Sequence, residues 1–120
     1  MTDLVKSFTY GEDISEKTAV KFSQEGVVVK ATSDTDNVCG IAIFSGEEGA
    51  KGDVLLFGFA KVATSEAVDA GDLLVAGANG KLEVVDIENM TDPVTIVAKA
   101  LESASGSAFI NALVNPQLLK

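Results

Sequence analysis

The side chains with the most capacity for chemistry in this sequence are carboxylates: 18 Asp and Glu stand against nine Lys, with no His and no Arg. Acids in Asp86-Ile-Glu-Asn-Met-Thr-Asp92 fall at relative positions 1, 3 and 7, which opens a calcium-loop pattern. That pattern then needs Gly and Glu where Thr91 and Val97 stand, so the stretch reads as a solvated hairpin loop closed by Pro93. The glycine-punctuated stretch 68–82 places Gly71, Gly77 and Gly80 at spacings of neither the dinucleotide fingerprint nor the P-loop, and no Gly-Lys-Ser/Thr follows. Without His, neither a Ser-His nor a Cys-His pair can form. A glycosidase-type carboxylate pair or a Ser-Lys dyad remains conceivable, but nothing singles out its members. Sugar-handling sites also stack their ligands on aromatic rings, and the chain has no Trp and one Tyr. These residues lead to the expectation of a non-enzymatic protein with no cofactor and no metal site.

The lone thiol, Cys39, lies in the apolar run Val-Cys-Gly-Ile-Ala-Ile and has no basic neighbour in sequence, so it reads as a small buried hydrophobe. A net charge of −9 opposes nucleic acid, whose phosphates are neutralised by Lys and Arg, and opposes anionic membrane surfaces as well. No apolar run reaches the ~20 residues of a membrane-spanning helix. The first ten residues have no basic start, apolar block and small-residue cleavage site, so the expectation is folding in the compartment of synthesis.

The elements that would have to position any site are strands. Short β-type runs recur between Gly, Asn, Asp and Ser, and no long segment has helical periodicity, which marks an all-β domain with few short helical turns. Candidate strands cover 18–22, 26–31, 38–44, 53–64, 73–76, 81–86, 94–101 and 108–115. The run Val54-Leu-Leu-Phe-Gly-Phe-Ala-Lys-Val62 is apolar on both faces, as expected of a strand central to the sheet or beneath a neighbouring subunit. Gly58 within it suggests a bulge or bend of the kind that turns a barrel corner. Gln24-Glu25-Gly26 and Ala78-Asn79-Gly80 read as tight turns with glycine at positive φ. The three-glycine stretch 45–52 reads as a mobile hairpin tip or, alternatively, a contact loop. Ala70-Gly71-Asp72 reads as a turn that opens the strand at 73.

At 120 residues one domain is expected. Laid side by side, the halves suggest an internal pseudo-repeat over 18–62 and 72–115: Val20 to Val29 echoes Leu74 to Val84, and Val38 to Ile43 echoes Ile96 to Leu101. Residues 1–15 fall outside both units and read as an extended, flexible N-terminal arm ahead of a domain spanning 16–120. Leu4, Val5, Phe8 and Tyr10 in that arm would be wasted on solvent, so they either pack back on the core or bind a partner as an added strand. On this reading, deleting the arm spares folding and abolishes partner binding.

Ala70-Gly-Asp-Leu-Leu, then Ala78-Asn-Gly-Lys-Leu, a variable loop, Ile96-Val-Ala-Lys-Ala-Leu-Glu, Gly106 and the apolar strand 109–114 together resemble small capsid decoration, or cement, proteins of tailed phages. The resemblance covers roughly 18–115, with Lys99 standing where that family often has glycine or a small residue. It implies a small β-barrel or β-tulip that associates as a homotrimer on the outer surface of a phage head. Such a protein would be made in the host cytoplasm, bind the major capsid protein and stabilise the virion against internal DNA pressure. The rival expectation is a small β-barrel adhesin, fibre-head or ligand-binding module working through loops such as 45–52.

Overall fold

The computed structural model describes residues 3–88 and 92–119. Nine strands follow one another: β1 (Leu4–Tyr10), β2 (Ala19–Gln24), β3 (Val27–Lys30), β4 (Val38–Ala42), β5 (Lys51–Thr64), β6 (Leu73–Ala76), β7 (Leu82–Val84), β8 (Val94–Ala100) and β9 (Ala108–Leu119). The helical content among the described residues is one 3-10 turn at Ala78–Gly80, with Asn79 and Gly80 at φ 58° and 76°. The all-β class expected from the alternating runs is therefore the architecture observed.

The pairings close into two rings of five. In the first, β1 pairs in parallel with β3, β3 with β2, β2 with β4, β4 with the first half of β5, and that half of β5 returns to β1. In the second, the latter half of β5 pairs in parallel with β7, β7 with β6, β6 with β8, β8 with β9, and β9 returns to β5. The order and sense of pairing are the same in both, so the latter half of β5 plays in the second ring the part that β1 plays in the first. Closure leaves neither ring an open edge.

The registers match residue by residue. Ala19 faces Ile41 and Ile41 faces Leu55; at positions 54 or 58 residues further on, Leu73 faces Lys99 and Lys99 faces Leu113. Isolated bridges join Ile14 to Gly46 and Val68 to Ala104 at the same offsets. Two carboxylates repeat too: Glu12 accepts the Lys30 N–H at 2.9 Å, and Glu66 accepts the Val84 N–H at 2.9 Å.

β5 crosses from one ring to the other at Gly58, which has φ 141°. A non-glycine residue is rarely tolerated there, and the Asp3 side chain occupies the space a Cβ would need. Asp3 Oδ1 also accepts the Phe59 N–H at 3.2 Å, beside the register shift between Leu4 and Val5. The apolar character of β5 on both faces follows from this placement. Val54 points into the first ring, whereas Leu55 and Val62 belong to a larger core that joins the two rings.

Each ring is filled from equivalent positions: Tyr10, Ile14, Val20, Val28, Ala42 and Val54 in the first, and Thr64, Val68, Leu74, Leu82, Ala100 and Ala112 in the second. Burial of these side chains is the main stabilising term, at roughly 25 cal/mol per Å² of apolar surface.

The N-terminal segment departs from expectation. Leu4–Tyr10 is not an arm outside the units but β1 of the first ring, with Val5 to Thr9 in continuous antiparallel register with β5. Physically, a five-strand ring cannot close without a strand between β3 and β5, and the side chains of Phe8 and Tyr10 turn toward its interior. The first structural unit accordingly begins near residue 4 rather than 18, and the second begins inside β5 rather than at 72.

Candidate partner-binding surface

The four arm residues fare differently. Tyr10 is 1% exposed and its hydroxyl donates to the Phe44 carbonyl at 2.7 Å, so it is a core residue and not a contact for a partner. Burial, followed by the nearby Asp53 charge, pushes its phenol pKa up. Phe8 is half-buried and packs edge-to-face on Phe22, with centroids 5.2 Å apart. Leu4 and Val5 remain exposed on the outer face of β1. The segment thus divides by strand alternation, with Phe8 and Tyr10 committed inward and Val5 left outward.

The loop 45–52 is shaped by the same tyrosine. A Cβ at Gly46 would lie 2.7 Å from the Tyr10 ring, and one at Gly52 would overlap it, so two of its glycines are there for close packing. Only Gly49, at φ 90°, serves the turn itself. Ile14 to Glu16 and Ser45 to Glu47 frame a shallow open hollow with Asp13 and Lys30, and Asp13 Oδ1 accepts the Glu48 N–H at 3.0 Å.

Two of the remaining carboxylates, Asp72 and Asp36, are positioned as turn formers. Asp72 Oδ2 accepts the Asp69 N–H at 2.8 Å while Gly71 takes φ 96°, opening β6. Asp36 Oδ2 accepts the Thr32 and Ser33 N–H groups, and its other oxygen meets Lys21 Nζ at 3.1 Å. Cys39 is half-buried; burial pushes its thiol up to about 11, and its S–H points at the Val20 carbonyl. Burial, then the charges of Glu66 and Asp34, raises the Glu83 carboxyl. No cluster of three metal-ligating side chains occurs among the described residues. The calcium-like pattern at 86–92 lies partly outside them, since residues 89–91 are not described.

What the surface does offer is apolar area. Phe22, Phe44, Phe59, Leu101 and Phe109 are each between 46% and 61% exposed. Phe59 stands opposite Leu113 across β5 and β9, and Phe109 stands opposite Ala63 on the same pair. Single exposed hydrophobes are ordinary, but Phe59 and Phe109 stand on one closed β5–β9 pair, four register positions apart, where a protein partner can reach both. Sequence reading did not select Phe22, Phe59 or Phe109; the available signal was the run at 54–62 with apolar residues on both faces.

No protein-family model and no curated protein matches the sequence. Among solved structures, the fold is similar to the head fiber gp8.5 N base in bacteriophage phi29, with a TM-score of 0.71 over 99% of this chain and 99% of that one. The two are 14% identical in sequence, so the likeness is one of fold.

Proposed function

We propose that the chain is a non-enzymatic structural protein of a phage head, bound to the outer surface of the capsid through the major capsid protein. The observation that carries this reading is the end-to-end fold likeness to the phi29 head fiber base, in which neither chain has a substantial part unmatched. Supporting it are the exposed aromatic surface, the closed rings with no pairing edge to aggregate, and an acidity that keeps a densely arrayed shell protein soluble. Three copies around a local threefold position would stabilise the shell against internal DNA pressure by adding buried area across capsid-subunit boundaries, with avidity compensating for weak single contacts. No nucleic acid, membrane or cofactor enters this role.

Co-sedimentation with undecorated capsids tests it: saturation at a fixed ratio of copies to capsid subunits is expected, and free protein left entirely in the supernatant overturns it. Decorated heads should also survive heating to a higher temperature than bare ones. A second reading, a base that carries a fibre or adhesin on the head, is favoured by what the phi29 protein is. It predicts saturable binding with no change in the heat resistance of the head.

A further inference from the structure

The two rings meet through two unlike surfaces. The first ring contributes a receiving face of Ala19, Ala31, Val38, Ile41 and Leu55, each no more than 3% exposed. The second ring covers it with the end that carries Val62, Ala76, Val97 and Val114, each no more than 1% exposed, and all nine residues belong to one continuous core. β4 of the first ring lies against β8 and β9 of the second. The turn at Gly80 is pressed so closely that a Cβ there would sit 2.8 Å from the Ala19 carbonyl oxygen.

Because the units repeat in register, each surface exists a second time, and there no further ring lies over it among the described residues. The second ring carries the receiving positions as Leu73, Val85, Ile96, Lys99 and Leu113. Ile96 is buried beside Val75 and Val94, but Leu73, Val85 and Leu113 are only half-buried, Lys99 is exposed, and Leu73, Lys99 and Leu113 line the mouth of a hollow of about 130 Å³ with Ile96 in its wall. The first ring carries the covering positions as Phe8, Phe22, Cys39 and Leu56. Phe8, Cys39 and Leu56 are half-buried around the ring interior, and Phe22 is 49% exposed. Gly26, the counterpart of Gly80, has nothing within 4 Å of where a Cβ would stand. One end of the molecule therefore repeats the covering surface and the other repeats the receiving surface.

We infer that a second copy of this chain docks head-to-tail, its Phe8-Phe22-Leu56 end seated on the Leu73-Lys99-Leu113 face, repeating between molecules the contact that joins the rings within one. The shape of the occupant is set by the internal contact, which shows what fits such a face. The larger side chains on the free covering end, Phe for Val62 and Ala76, match the hollow on the free receiving face. Lys99, standing where the internal contact has Ile41, makes the intermolecular version less apolar and so more readily reversed. Such a contact is heterologous: each copy uses one end as donor and the other as acceptor, and the series closes into a ring if the rotation allows.

The contact supplies the surface for the homotrimer proposed above, but its test uses free protein, whereas capsid binding is read by co-sedimentation; either can fail alone. Sedimentation velocity of the full chain, up to about 1 mM, should show concentration-dependent association. Phe22→Ser breaks the donor end and Leu113→Ser the acceptor face, so each variant alone should be monomeric. Mixing them leaves one intact pair of surfaces and should give a dimer and nothing larger. Circular dichroism and a cooperative melt establish that both variants fold; if Leu113→Ser does not, Leu73→Ser replaces it. Wild-type protein that stays monomeric throughout, a folded variant that keeps the wild-type mass, or a mixture without dimer overturns the inference.

Discussion

At the scale of single residues, the two rings solve one packing problem twice with different side chains. Where the first ring has Tyr10 with Gly46 and Gly52, the second has Thr64 with Ala104 and Ile110 at the corresponding positions, and Leu74 and Leu82 replace Val20 and Val28. One large ring is exchanged for added aliphatic volume, which is how a core keeps its density when its shape changes. Tyr10→Thr should therefore cost about 3–5 kcal/mol through the cavity it leaves. Adding Gly46→Ala and Gly52→Ile to that variant should recover part of the loss, whereas Gly52→Ala in the wild-type background should cost about 1–3 kcal/mol by overpacking against the ring. Urea denaturation of the four proteins checks this; a triple variant less stable than Tyr10→Thr alone would show that the rings are not interchangeable at this level. Asp36 carries a second prediction. Burial pushes its carboxyl up, but the Thr32 and Ser33 N–H groups and Lys21 more than offset this and hold it below its ordinary value of 3.8. Its contribution is thus present above about pH 4 and lost as the pH falls through the folded-state value. Asp36→Ala should cost about 1–2 kcal/mol at neutral pH, and the gap between variant and wild type should close on acidification.

At the scale of elements, what was legible in the sequence was periodicity, and what was not was double use. The alternating runs that give β2 to β9 are each flanked by Gly, Asn or Asp, and the structure places strands there with ends that coincide, as at 73–76, or shift by up to four residues. The turn chemistry of Gly26, Gly58, Gly71 and Gly80 was equally readable, because all four take the positive φ that only glycine adopts freely. β1 is hard to read from sequence because its counterpart in the second unit is not a separate strand but half of β5: Leu4–Tyr10 corresponds to 58–64, and no aligned pair of residues is identical. Lys6 also interrupts the apolar alternation that would have marked a strand. Of the candidate contact residues, Tyr10 could not be assigned by type alone, since a tyrosine near a terminus serves a core or an interface equally well. Its burial depends on Gly46 and Gly52, some 40 residues away. Deleting residues 1–10 consequently has the opposite outcome to that expected of an arm. It opens the first ring, strips Val28 and Val54 of Tyr10, and should leave a chain without cooperative unfolding at 25 °C, as seen by loss of the sigmoidal melt. A truncated protein that melts cooperatively would return the segment to the status of an appendage.

At the scale of the whole molecule, β5 makes the rings inseparable. Its first half closes one ring and its second half the other, and Ala19, Val38, Ile41 and Leu55 of the first ring lose their cover if the second ring is removed. Burying them is worth about 1.5–3 kcal/mol for each large aliphatic side chain, comparable with the whole margin of stability of a domain this size. Neither ring should therefore persist while the other is unfolded. The distribution of aromatics makes this measurable, because Tyr10 is the single tyrosine, there is no tryptophan, and it sits in the first ring. Leu82→Ala, buried in the second ring far from that probe, should cost about 2–5 kcal/mol. It should shift the tyrosine-fluorescence transition in urea by the same amount as the circular-dichroism transition of the whole chain. If the fluorescence midpoint stays at the wild-type value while the circular-dichroism curve splits in two, the rings are independent and the shared strand does not couple them. The coupling matters for the proposed role. A protein clamped between shell subunits transmits load only if it yields as one body, and a strand common to two closed rings gives a short chain with a single cysteine that property without an internal disulfide.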